Sequence, residues 1–264
     1  MEFFATINKI PIHINDNGEG KIVLFFLHGY LETMNIWDDF IDILSKDYRC
    51  VSIDLPGHGL SGSNSDEITV GFSCKIVEGV MDLLKIKDLY LIGHSLGGYV
   101  AQNAYRFFPD RIKGIICLNS APYSDNKDKQ DQRNREISLI EGGKLVSLAQ
   151  LAIPNMIYKE NLRKLDLKIQ EIICDCETHD PAGIIATLKG LIQRSDVVDL
   201  FKEKQPNILY IFGDKDPYLT EEISNRIISD FPFAKHLYIA NTAHNCFLEA
   251  PTQTAIAIND FINK

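Results

Sequence analysis

A chain of 264 residues, 45% hydrophobic and 24% charged, is long enough for one large domain, too short for two enzymes of ordinary size and too apolar to be mainly disordered. A formal net charge of −9 with no dense run of Lys or Arg argues against nucleic acid or an anionic membrane as the main partner. No secretion signal is legible at the N-terminus and no apolar run approaches the roughly 20 residues that span a bilayer. The six cysteines form no C-x-x-C pair, so reduced thiols and a cytoplasmic setting are expected.

Residues 3–14 alternate in part between apolar and polar and are broken by Asp16-Asn17-Gly18-Glu19-Gly20, which predicts one or two antiparallel edge strands. Residues 22–27 are apolar throughout, as in a strand buried on both faces of a parallel sheet. They end at His28-Gly29-Tyr30, and a helix over 35–44 follows with Ile36, Trp37, Phe40, Ile41 and Leu44 on one side. A second buried strand at 50–53 runs into the turn-rich Asp54-Leu55-Pro56-Gly57-His58-Gly59, and 68–84 reads as helix. A strand at 89–92, a helix from 96 to about 108 closed by Pro109, and a strand at 115–118 continue the alternation expected of βαβ units.

Between 122 and 204 the alternation fails. A polar stretch, 124–136, leads into helical segments at 136–150, 162–174 and 182–194, punctuated by Gly142-Gly143, Pro154 and Pro181. The expectation is a core formed by 1–121 and 205–264, with 122–204 inserted as helices over the C-terminal edge of the sheet, where such sheets bind ligands. Strand and helix resume at 208–212, 222–231, 237–239 and 252–262.

The chemistry centres on Gly93-His94-Ser95-Leu96-Gly97. Glycines two residues before and after a serine, between a strand and a helix, suit a bend too tight for a Cβ, with the hydroxyl exposed at a helix N-terminus. A serine nucleophile needs a base and a group that orients it. His244 follows the last predicted strand by a short loop, and Gly213-Asp214-Lys215-Asp216 follows the strand before, so both fall on the edge that carries Ser95. Leu96, the residue after the nucleophile, is expected to offer its N–H to an oxyanion.

His28-Gly29, 54–61, Gly93-His94-Ser95-Leu96-Gly97-Gly98, Gly213-Asp214-Lys215-Asp216, and His244 with Glu249-Ala250-Pro251, in that order, resemble the α/β-hydrolase superfamily in its branch with a helical cap. The resemblance implies an α/β fold with a mostly parallel central sheet flanked by helices, and the triad Ser95, Asp216 and His244. The spacing G-x-x-D favours Asp216 over Asp214. It also implies a second oxyanion donor at the Tyr30 N–H, with His28, Gly29, Gly93, His94 and Gly97 shaping the loops and His58 structural.

The reaction expected is hydrolysis of a small-molecule carboxylic ester through an acyl-enzyme, with no cofactor and no metal. A serine cannot form the alkyl-ester intermediate of haloalkane dehalogenases or epoxide hydrolases. Carbon–carbon bond hydrolysis with the same triad, and a non-catalytic small-molecule-binding fold, are the alternatives. An ester on an acyl-carrier protein would meet Lys127, Lys129, Arg133 and Arg135, although that run reads first as a solvated helix face. Asp38-Asp39 and Asp175, Glu177 and His179 read as a solvated face and an exposed loop rather than metal ligands. Leu145, Leu148, Leu151, Ile153, Met156 and Ile157 form either an apolar roof over the site or the core of the helical insertion. Cys246 reads as ordinary packing.

Overall fold

Side-chain alternation along the strands decides the architecture. In the computed structural model, which describes residues 1–63 and 66–263, Leu24 and Phe26 enter one hydrophobic core while Phe25 and Leu27 enter another, all four fully buried. Residues 23–27 therefore form a strand with helices on both faces.

Eight strands make one sheet: β1 (Glu2–Ile7), β2 (Ile10–Asp16), β3 (Val23–Leu27), β4 (Arg49–Ile53), β5 (Leu89–His94), β6 (Ile112–Leu118), β7 (Ile208–Gly213) and β8 (Lys235–Ile239), in the order β1-β2-β4-β3-β5-β6-β7-β8. The expected antiparallel edge is the hairpin β1–β2, whose turn places Asn8 and Lys9 at positive φ, 47° and 70°. β2 pairs antiparallel with β4, and all later pairings are parallel, so the loops leaving β3 to β8 gather along one edge.

One face carries α2 (Val70–Leu83), α3 (Leu96–Ala104), α8 (Val198–Lys204) and α9 (Glu221–Asp230); the other carries α1 (Asp38–Leu44), α10 (Cys246–Glu249) and α11 (Pro251–Ile262). Between β6 and β7 come α4 (Lys127–Glu141), α5 (Leu145–Asn155), α6 (Asp166–Asp175) and α7 (Pro181–Ile192), with α4 on α7 and α5 on α6. The polar stretch 124–136 is largely helix: Asn126 caps α4 by accepting from Lys129 N at 2.9 Å, and Ile137 and Ile140 bury its far end. The single helix expected over 136–150 is two, broken at Gly142-Gly143. Sequence periodicity misses α8, which is seven residues long and buries only Phe201, against the rings of Tyr105 and Phe231.

Candidate active site

β5 ends on His94 and α3 begins on Leu96, so strand turns into helix at Ser95, which sits at φ 47°, ψ −110°. That strained backbone is held by Ser95 N donating to Leu118 O (3.1 Å) and Ser120 Oγ donating to Ser95 O (2.8 Å). A Cβ on Gly93 would lie 2.3 Å from Gly97 O, and one on Gly97 would lie 2.0 Å from Leu27 O. Only glycine allows the helix to start this close to β3.

His244 lies in the loop after β8, fixed by His244 N and Asn245 N both donating to Met156 O at 2.9 and 3.1 Å. Its Nδ1 meets Asp216 Oδ2 at 2.8 Å. Asp216 is almost fully enclosed and satisfied: Oδ2 also accepts from Asn119 Nδ2 at 2.8 Å, and Oδ1 from Tyr218 N and Leu219 N at 2.8 and 3.0 Å. Burial alone would raise its pKa; the His244 ring and the main-chain donors outweigh burial and hold the carboxyl below the usual aspartate value. Asp214 faces away, accepting from Thr242 N and pairing with Lys215. Asn119, at φ 49° directly after β6, was not singled out by the sequence; its Nδ2 also donates to Ala243 O at 3.1 Å, tying the Asp216 and His244 loops together. Its positive φ at a strand end is a signal that sequence alone does not carry.

Glu32 was equally silent. Fully buried, it accepts from Gly29 N at 2.6 Å and from Asn245 Nδ2 at 3.2 Å, and meets His94 Nδ1 at 2.9 Å. His94 Nε2 meets the carbonyl of His244 at 2.9 Å. Through these two contacts the His94 ring joins the turn after β3 to the loop that carries His244. Burial would raise the Glu32 pKa, but His94 and the Gly29 N–H bring it below the usual value.

His28 Nδ1 donates to Gly29 O at 2.7 Å and its Nε2 accepts from Leu55 N at 2.9 Å, which fixes the neutral ring. Its ring centroid lies 5.2 Å from that of His58, which lies 5.3 Å from that of His179. His179 is not on an exposed loop as expected: it is buried and accepts from Gly59 N at 2.7 Å. Asp175 accepts from Thr33 and Asn35, and among the described residues it does not converge with Glu177 and His179 into a group that could hold a metal.

Ser95, His244, Tyr30 and Leu96 all line one cavity of about 760 Å³. The N–H groups of Tyr30 and Leu96 carry no hydrogen bond among the described residues, as oxyanion donors would require. The Tyr218 ring stands edge-on to His244, centroids 4.9 Å apart. Leu148, Leu151 and Met156 line the cavity, while Leu145, Ile153 and Ile157, and Met156 with them, are buried in the hydrophobic cluster that also takes in Leu24 and Phe26 of the sheet. Lys127 and Arg135 are exposed, but Arg133 is buried on Asp125 and Lys129 is half-buried, both lining the cavity; the basic run is not simply a solvated face. Cys246 is fully buried, which pushes its thiol pKa up.

No helix among the described residues is long and apolar enough to cross a membrane. A family model described as alpha/beta hydrolase fold matches residues 22–138. A 2-hydroxy-6-oxononadienedioate/2-hydroxy-6-oxononatrienedioate hydrolase from Paraburkholderia phymatum is 31% identical, covering 89% of this chain and 85% of the relative. A pimeloyl-[acyl-carrier protein] methyl ester esterase from Wigglesworthia glossinidia brevipalpis is 26% identical over 94% of this chain and 96% of its own. The solved structure of a thermophilic esterase from Thermogutta terrifontis superposes with a TM-score of 0.92 at 22% identity, covering 100% of this chain and 98% of that one. Sheet order, the turn at Ser95 and these relatives agree: the chain belongs to the α/β-hydrolase family.

Proposed function

We propose that this protein is a serine hydrolase that cleaves a carboxylic ester of a small molecule. The observation that carries the reading is the strained Ser95 turn opening into the same cavity as His244, whose ring is held by Asp216 at 2.8 Å. Ser95 Oγ attacks the ester carbonyl while His244 Nε2 takes its proton, and the N–H groups of Leu96 and Tyr30 receive the oxyanion. Collapse of the tetrahedral intermediate expels the alcohol, protonated by His244. Water, activated by the same ring, then releases the acid from Ser95. Asp216 holds the tautomer that leaves Nε2 free to act. Residues 122–204 serve as a cap over this cavity, while 1–121 and 205–264 form the catalytic core; α8, at the end of the cap segment, is anchored to that core by Phe201.

Carbon–carbon bond hydrolysis by the same three residues is the second reading, favoured by the hydrolase relative at 31% identity. An ester carried on an acyl-carrier protein draws support only from the relatives that bear that name. Hydrolysis of p-nitrophenyl esters from acetyl to long acyl chains, on wild type and Ser95→Ala, tests the first reading. Turnover lost in the variant supports it. No turnover by the wild type on any ester, with cleavage of a ring-fission diketone, would replace it with the second.

A further inference from the structure

The cavity is oddly charged for so acidic a chain. Against a net −9 for the whole molecule, its lining holds five cationic side chains and three carboxylates. Four of the five cations and all three carboxylates lie on or beside α4 and the end of α7; the fifth cation, Arg226, is on α9. Arg133 and Arg194, both nearly inaccessible, share one carboxylate: Arg133 Nε and Nη2 and Arg194 Nη2 all donate to Asp125. Two guanidiniums share this carboxylate, and Glu136 is the other acid that acts on Arg133 and on Lys129, so these three cations face two acids and an anion would balance the third. Arg194 stacks 3.7 Å over the ring of Tyr99, one helical turn beyond Ser95, and its buried Nε has no hydrogen-bond partner. Lys129, half-buried, donates only to the neutral Gln132 and has no carboxylate in ion-pair range among the described residues. Its Nζ lies 5.5 Å from the centroid of Tyr218, the same ring that packs against His244. The hydroxyl of Tyr30, which also lines the cavity, is buried with Glu136 and Arg133 as its charged neighbours.

We propose that Lys129, with Arg133 and Arg194 behind it, forms an anion subsite that receives a carboxylate at the far end of the acyl chain, so that the preferred substrates are half-esters of short dicarboxylic acids. The ester end lies at Ser95 and the free carboxylate meets Lys129 across the ring of Tyr218, with Leu148 and Met156 contacting the methylenes between them. Burial and the neighbouring Arg133 lower the Lys129 pKa, and an incoming carboxylate would restore the ammonium's stability there. The mixed lining fits this division of labour: apolar contacts hold the chain and a few convergent cations fix its direction.

The proposal rests on the ester-hydrolase reading, and the experiment separates the two. Monomethyl esters of succinate, glutarate and adipate are compared with methyl esters of the matching monocarboxylic acids in wild type, Lys129→Met and Lys129→Arg. In wild type the ratio of kcat/KM, half-ester over neutral ester, is expected to exceed one for at least one chain length. Lys129→Met lowers that ratio roughly 10- to 100-fold, mainly through KM, the loss expected of one charge-assisted contact, and Lys129→Arg restores most of it. A ratio of one or less at every length in wild type, or one that Lys129→Met does not move, overturns the subsite. Calorimetric titration with adipate needs no turnover. If no ester is hydrolysed but adipate binds wild type and not Lys129→Met, the subsite stands and the ester reading falls; equal or absent binding in both sinks the subsite.

Discussion

At the scale of single residues, the choice between two aspartates two positions apart is a matter of direction. Asp216 accepts four hydrogen bonds, including that of His244, whereas Asp214 holds Thr242 N and Lys215. Asp216→Asn is expected to lower kcat by about 10³- to 10⁴-fold, because an amide in that place can donate to the ring and favour the wrong tautomer. Asp214→Asn, losing an exposed ion pair, leaves kcat within about threefold. Steady-state kinetics on one ester decides, and the opposite ranking would give the acid role to Asp214. The sequence brought Ser95, Asp216 and His244 to one edge because a local turn signal and chain order suffice for that. Asn119 and Glu32 escaped notice because their meaning lies in partners far along the chain: Asn119 bonds to residues 216 and 243, Glu32 to 94 and 245. Arg133 was misjudged for the same reason, since the burial of a charged side chain depends on Asp125 and on the arrival of Arg194.

At the scale of elements, the contact between α3 and β3 is the least forgiving. A methyl group on Gly97 would meet a main-chain carbonyl of β3 at 2.0 Å, and neither the strand nor the helix start can retreat without disturbing Ser95. Gly97→Ala is expected to destabilise the fold by about 3 kcal/mol, near the upper end of overpacking costs, and to impair turnover in whatever fraction remains folded. Urea unfolding measures the first and kinetics on the soluble protein the second; a variant as stable and as active as wild type would show that the turn has slack. The strands were legible because fully apolar runs such as 22–27 have one comfortable environment, between two layers of helices. Helix limits were less so. α4 starts nine residues before the expected segment at 136, in a stretch whose polarity reflects solvent and cavity rather than absence of structure, and α8 is too short for a period to emerge.

At the scale of the whole molecule, His28, His58 and His179 link the turn after β3, the loop after β4 and the segment before α7. Burial lowers the pKa of each, that of His179 to about 4. Unfolded, these rings take up protons near 6.5; folded, they resist until lower pH, so their stabilisation is complete above about 6.5 and is lost as pH falls towards the folded values. His13, raised by Asp54 and Glu2 against its own burial, acts in the opposite sense. Unfolding free energy is therefore expected to fall between pH 6.5 and 4, by roughly 3 kcal/mol from His179 alone, with a shallower slope in His179→Gln. Stability that stays level across that interval, or an unchanged slope in the variant, would contradict the assignment of neutral buried rings.

The bridge made by His94 has a temporal side. Its ring touches Glu32 and the carbonyl of His244, and so spans almost the full succession of strands from β3 to β8. Contacts this distant along the chain carry a large loop-closure cost and slow folding. A growing chain cannot complete the cavity until residue 244 has been made, because Glu32, His94 and His244 come from three well-separated parts of the sequence. If the proposed triad acts, turnover regained on refolding reports when these three distant segments have been joined.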